Sequence, residues 1–239
     1  MVKSHNDNLS NRSDEAPGLM PPPSRRIYLV RHGVTEWNKL FRYQGATDIP
    51  LSPEGEEQAE RVAIRLSQVP VGRIISSPLA RSQMTAQKIA ERAGIGTVEL
   101  WEELREVNFG DWEGLTVREI IDKFGDSIFN AWKKAQLDVT ATNGERAFDV
   151  YERAGRVAER LSALNDEITV VVSHGALFRA LLLHFIDVPR SNVFWKMRMD
   201  NCSISAVEFD SKGRRSLRFL NDTTHLLAER EKIHLVPLQ

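Results

Sequence analysis

The stretch Ile27-Tyr28-Leu29-Val30-Arg31-His32-Gly33 decides how the rest of the chain is read. Its first four residues are apolar or β-favouring and make a short buried strand, which runs straight into ionisable chemistry. In open α/β sheets ligands bind in the crevice beyond the carboxyl ends of the strands, so this order of residues places Arg31 and His32 at the bottom of that crevice. Gly33 has no Cβ and is expected to let the backbone turn and a ligand come close. An isolated Arg-His-Gly also fits a core strand that ends in a satisfied histidine. The remaining strand ends of the chain decide between the two.

Downstream, strands and helices alternate. A loop from Asn38 to Pro50 ends at Ser52, a helix N-cap, with Pro53 in the first turn and Glu54, Glu56 and Glu57 near the positive end of the dipole. Ala59, Val62, Ala63 and Leu66 then repeat at helical spacing. Gly72 to Ser77 reads as a second strand leading to Pro78-Leu79-Ala80-Arg81, and a helix follows that ends at Gly94. Thr97 to Leu100 reads as a third strand and opens onto Leu104-Arg105-Glu106. One or two short helices are expected between Thr116 and Gln136 with Gly125 as punctuation, then a polar loop over Leu137 to Gly144 and an amphipathic helix over Ala147 to Leu164. Ile168-Thr169-Val170-Val171-Val172 is an unbroken run of β-branched residues, expected where helices cover both faces of a sheet. It ends in Ser173-His174-Gly175, and an apolar helix over Ala176 to Ile186 follows. Two last strands, Ile204 to Phe209 and Leu217 to Leu220, flank a turn at Gly213. This order predicts a three-layer α/β/α domain on a doubly wound, mainly parallel sheet.

The chain has 239 residues, and its 32 Lys+Arg against 33 Asp+Glu leave a formal charge of -1. No global field recruits nucleic acid or an anionic membrane. Cys202 is the single cysteine, so internal disulfides and thiolate zinc clusters are excluded and a reducing, cytoplasmic setting is expected. No apolar run approaches the ~18 residues of a membrane span. Residues 1–24 are rich in Ser, Asn, Asp and Pro without an apolar segment, and read as a disordered leader ahead of a single domain over 25–239.

Four strand-to-helix junctions carry ionisable residues: Arg31 and His32, Arg81, Glu106, and His174. Each alone has a plain structural explanation, and together on one sheet edge they make a site. Two guanidinium groups offer rigid forks to phosphate oxygens. One imidazole can take a phosphoryl group, a second can bind its oxygens, and a carboxylic acid can protonate the leaving alkoxide. Such a scheme requires no metal or other cofactor, and neither GxxxxGK[ST] nor GxGxxG occurs in the sequence.

The residues that carry this site also carry a resemblance. Val30-Arg31-His32-Gly33 with Thr35-Glu36 and Trp37-Asn38, Gln44-Gly45 with Asp48-Ile49-Pro50-Leu51-Ser52, Ser77-Pro78-Leu79-Ala80-Arg81, Leu104-Arg105-Glu106 with Phe109-Gly110-Asp111-Trp112-Glu113-Gly114, and Val172-Ser173-His174-Gly175 together resemble the histidine phosphatase, or phosphoglycerate mutase-like, superfamily. They occur in the family's order from about Arg26 to about Leu220. The resemblance implies that His32 is transiently phosphorylated and that Arg31, Arg81 and His174 hold the phosphate. It implies that Asn38 and Gln44 line the phosphate pocket and that Glu106 is the proton donor. The substrate class it implies is a small phosphate monoester; oligomeric state, a homodimer included, is left open.

Within the superfamily, Phe109 to Gly114 resembles the broad-specificity and α-ribazole phosphatase branch. Expected helices fill most of Gly114 to Ile168, where mutases carry a longer insertion. Hydrolysis is therefore expected, with a phosphoglycerate mutase as the alternative and a silent phosphate-binding module behind it. Trp37, Phe41, Trp112, Trp132, Phe178 and Trp195 are candidates for the pocket wall, of which two or three are expected to serve; the rest are core. Arg42, Arg118 and Lys133 are candidates for a second anionic group, against the plainer reading of solvated surface charge. His184 reads as a satisfied structural residue.

Overall fold

The computed structural model describes residues 23–134, 139–189 and 193–227. Its sheet is organised around the β-branched run, which forms a strand with every residue buried and parallel neighbours on both sides. In chain order the strands are β1 (Arg25–Arg31), β2 (Arg73–Ser76), β3 (Glu99–Leu100), β4 (Ile168–Ser173), β5 (Ile204–Phe209) and β6 (Arg215–Asp222). Across the sheet they lie in the order β3-β2-β4-β1-β5-β6. The first four strands in that order make a parallel block, and β5 and β6 add an antiparallel edge joined through Gly213 at φ 76°.

The helices are α1 (Glu36–Lys39), α2 (Pro53–Leu66), α3 (Ala80–Ala93), α4 (Val117–Phe124), α5 (Asp126–Lys133), α6 (Ala147–Ser162) and α7 (Gly175–Phe185). The pleat sorts side chains between two cores. Tyr28 and Val30 of β1 and Val170 and Val172 of β4 pack with α2 and α3, while Ile27, Leu29 and Val171 pack with α6 and α7. Each fully buried valine contributes about 1.5–3 kcal/mol of transfer free energy, which is why a run polar on one side would not hold this place. Capping follows the expected chemistry: the Ser52 side chain accepts from Gly55 N at 3.2 Å, and Gly94 closes α3 at φ 70°.

Departures from expectation are local. The third strand shrinks from Thr97–Leu100 to two residues, because it lies at the sheet edge, where Leu100 is half exposed and only β2 pairs with it. The last strand extends beyond Leu217–Leu220 at both ends. Gly125, at φ 85°, divides α4 from α5, and a reciprocal Thr116–Glu119 capping box starts α4. The leader expected over 1–24 lies, except for Pro23 and Ser24, outside the described residues. No helix among the described residues is long and apolar enough to cross a membrane.

Candidate active site

Parallel pairing brings the carboxyl ends of β1, β2, β3 and β4 to one edge of the sheet. The alignment persists past the strands: His32 N donates to Ser173 O at 3.0 Å and Ser77 N to Val172 O at 2.9 Å. The rings of His32 and His174 consequently lie 5.1 Å apart, centroid to centroid. A cavity of about 520 Å³ opens over this edge, lined in part by Arg31, His32, Asn38, Gln44, Glu106 and Arg179. Arg81 and His174 are fully buried, and the His174 ring is next to that of His32.

The tautomers of both histidines follow from their partners. His32 Nδ1 lies 2.7 Å from the carbonyl of Gly33, an acceptor only, so Nδ1 carries the proton and Nε2 is left with a lone pair. Burial, reinforced by Arg81 and Arg31, pushes the pKa of His32 well below 6.5, and the ring is neutral at physiological pH. His174 is depressed in the same way, by burial and then by Arg81, His32 and Arg31. Its Nε2 lies 2.8 Å from Ser77 Oγ and 3.4 Å from Ser82 Oγ, two hydroxyls able to donate to the ring. With Nε2 as acceptor, the proton of His174 is on Nδ1, which has no acceptor in the protein.

Three more buried nitrogens in this cluster lack a protein partner: Arg31 Nε, Arg81 Nε and Gln44 Nε2. Each of these groups is held by its other atoms. Arg31 Nη1 donates to Met199 O at 2.6 Å, and Arg81 donates to Gly45 O at 2.7 Å and Thr47 O at 3.0 Å. Thr35 Oγ1, which accepts from Asn38 N, donates to Gln44 Oε1 at 2.7 Å and turns the Gln44 amide nitrogen free. Asn38 Oδ1 accepts from Asn201 Nδ2 and Thr35 N, leaving its own Nδ2 to the cavity. A buried unsatisfied donor costs about 1–3 kcal/mol, so four of them in one place are a cradle for an oxygen-rich anion.

Glu106 sits across the cavity at the N-terminus of α7. Its Oε1 accepts from Val107 N and Leu177 N, and its Oε2 from Ala176 N, all at 3.0–3.1 Å. These bonds fix both oxygens in orientation. Glu113, three residues past Gly110, clasps the loop that holds Arg81: its carboxylate accepts from Ala46 N, Phe109 N, Thr47 N and Thr47 Oγ1. A Cβ at Gly45 would overlap both Glu113 Oε1 and the Val107 carbonyl, so the loop passes there only as glycine.

One expectation needs correction, and the others hold. Gly33 serves packing, since a Cβ there would overlap the Gly55 carbonyl of α2, and its backbone is not left-handed. Of the six aromatic candidates, Phe41 and Trp195 line the cavity, joined by Tyr43 and Phe109; Trp112, Trp132 and Phe178 are core, and Trp37 is not in the lining. Arg42 reaches the cavity but donates to Gly114 O and pairs with Glu119, while Arg118 is 92% exposed and pairs with Asp122. Lys133 is exposed and lies over the Phe129 ring, outside the lining. His184 is structural, with Nε2 2.9 Å from Tyr151 O. Sequence reasoning missed Arg179 and Asn201. Arg179 had a signal, as the one guanidinium on an otherwise apolar helix; Asn201, in a turn before β5, had none.

A histidine pair, two guanidinium groups and a carboxylate at the carboxyl edge of a doubly wound sheet form an arrangement whose chemistry suits a phosphate. Comparison with known proteins agrees, as the model of the histidine phosphatase superfamily (branch 1) matches residues 27–223. Phosphoserine phosphatase 1 of Hydrogenobacter thermophilus is 34% identical over 202 residues, covering 84% of this chain and 94% of that protein. A probable phosphoglycerate mutase of Escherichia fergusonii is 32% identical over 191 residues, 77% of this chain and 85% of the relative. The crystal structure of a phosphoserine phosphatase variant from Entamoeba histolytica, with phosphoserine bound, matches with a TM-score of 0.74 at 32% identity, covering 85% of this chain and all of the other. The chain belongs to the histidine phosphatase superfamily. It is a phosphoric monoester hydrolase of small phosphorylated metabolites.

Proposed function

We propose that hydrolysis runs through a phosphohistidine on Nε2 of His32, without a metal ion. In the first step Nε2 attacks phosphorus, the bond to the leaving oxygen breaks, and Glu106 gives that oxygen its proton. In the second step Glu106, now a carboxylate, takes a proton from water as the water oxygen attacks phosphorus. The P–N bond breaks and its electron pair returns to Nε2. Arg31, Arg81, Gln44, Asn38 and the Nδ1–H of His174 hold the phosphoryl oxygens through both steps, and the two guanidinium groups supply the positive charge a metal would otherwise bring.

The observation that carries this reading is the tautomer of His32: a buried, neutral imidazole, pinned through Nδ1 so that Nε2 is the free nucleophile. The phosphoserine phosphatases among its relatives support a compact phosphorylated metabolite as substrate. The test is phosphate release from p-nitrophenyl phosphate and a panel of small esters in EDTA, by wild type and by His32→Ala. Release that survives the chelator and is abolished in the variant supports the scheme. Release restored only by added metal, or retained by His32→Ala, would refute it. Isomerisation of phosphoglycerates without net phosphate release would place the chain among the mutases instead.

A further inference from the structure

We propose that Arg179 forms a second anion subsite, selecting phosphate monoesters whose leaving alcohol carries a carboxylate. This rests on the phosphatase reading above and specifies its substrate class. Arg179 lies one helical turn after Gly175 on α7. Side chains of a helix lean toward its N-terminus, so the guanidinium swings back over Gly175. A Cβ built on Gly175 would be 3.5 Å from Arg31 Nε and 3.6 Å from Arg179 Nη1. The two guanidinium groups therefore flank one point at the cavity wall, next to the helix turn whose N–H groups hold Glu106.

One edge of the Arg179 guanidinium is fixed and the other is open. Nε donates to Met197 O at 2.8 Å, and the group lies 5.2 Å from the Trp195 ring centre, a cation–π contact. Neither Nη nitrogen has a protein acceptor among the described residues, and the side chain lines the cavity. Burial and the like charge of Arg31 lower its pKa to about 10, so it stays a cation at neutral pH. The carboxylates that act on its charge are Glu106 and, more weakly, Asp200, which is occupied by Arg198 and Asn221.

The open edge of the fork identifies the ligand. Arg31 and Arg81 belong to the phosphate cradle, and Asp48 and Glu113 act on Arg81. Arg179, at the wall shared with Glu106, turns a planar cationic fork to the same cavity, and such a fork matches a carboxylate. Arg42 and Arg118, engaged by Glu119 and Asp122, leave that role to Arg179.

A matched pair tests this. 3-Phosphoglycerate and glycerol 3-phosphate share a carbon skeleton and differ in carboxylate against hydroxymethyl. Wild type is expected to favour the carboxylate ester by about tenfold or more in kcat/KM, with the difference mainly in KM. In Arg179→Gln that ratio is expected to fall to about 1, and in Arg179→Lys to an intermediate value. A wild type without preference overturns the proposal with no variant needed. Equal loss on both esters also overturns it, because Arg179 would then belong to the phosphate cradle or to the packing. If wild type releases phosphate from neither ester nor from p-nitrophenyl phosphate, the phosphatase reading fails separately. Calorimetric binding of the same pair to His32→Ala then decides the subsite: tighter binding of the carboxylate ester sustains it, and equal binding overturns it.

Discussion

The floor of the cavity and its mouth are built by different means. Arg31, His32, Arg81, Glu106 and His174 stand at the ends of four adjacent parallel strands, or in the first turns and loops beyond them, and sheet pairing sets their positions. The mouth is assembled from connections: Phe41 after α1, Val117 at the start of α4, and Trp195 in the turn before β5. Floor side chains are buried, Arg31 partly so, whereas Phe41 is 83% exposed. Chemistry thus resides where the fold leaves little freedom, and discrimination between substrates where it leaves more.

The largest effects should come from the floor. His32→Ala removes the nucleophile without removing any of the four cradle donors. Turnover should fall at least about 10³-fold, while inorganic phosphate still raises the unfolding temperature. Loss of both would mean that the cradle depends on the His32 ring. Glu106→Gln preserves size and should cost about 10²–10⁴-fold on an alkyl phosphate, far less on p-nitrophenyl phosphate, whose leaving group needs no proton. Equal losses on the two esters would remove Glu106 from the acid role.

The same contrast explains what sequence reasoning could reach. Apolar or β-favouring runs that end in Arg-His-Gly and Ser-His-Gly declare both a buried strand and the abrupt change to polar chemistry at its end. Four such ends on a parallel sheet converge without further information. Arg179 was harder, because a single guanidinium on the apolar helix α7 reads as a side chain reaching for solvent. Only the backward lean of helical side chains, with Gly175 beneath, turns it into the cavity. The mouth was least accessible: Trp112 and Trp195 look alike in sequence, yet one is fully buried in the α6–α7 core and the other faces the cavity. Nothing local separates them, since the difference arises from packing between α5 and the turn before β5, where Trp195 Nε1 donates to Trp132 O.

Floor histidines also set a pH dependence that the mouth does not share. Burial, aided by Arg81 and Arg31, holds His32 and His174 well below 6.5. From 6.5 down to those lowered values, the unfolded chain binds protons that the folded one refuses. Stability is therefore fully present above pH 6.5 and is lost as pH falls, with a slope approaching about 1.4 kcal/mol per pH unit for each ring. Urea unfolding at about pH 7.5 and about pH 5.5 measures it, and His32→Asn should flatten the slope. An unchanged slope would show that His32 is protonated in the fold.

Between floor and mouth lies the Glu113 clasp, and the smallest effects test whether the two regions separate. In Glu113→Gln an amide nitrogen would face the donors of Thr47, costing about 1–3 kcal/mol of stability. The same change loosens the Gly45 and Thr47 carbonyls that aim Arg81, so kcat/KM should drop about tenfold for every ester alike. Phe41→Gly should behave in the opposite manner. Phe41 holds a left-handed φ of 54°, which glycine adopts without the ~1–2 kcal/mol that a Cβ imposes, and its exposed ring forfeits little burial. Stability should hold or rise, turnover of the smallest esters should change by no more than about threefold, and only the ranking of bulky leaving groups should move. If Phe41→Gly instead lowers every ester together, as Glu113→Gln does, the loop from α1 to Thr47 acts as one piece, and mouth and floor are a single device.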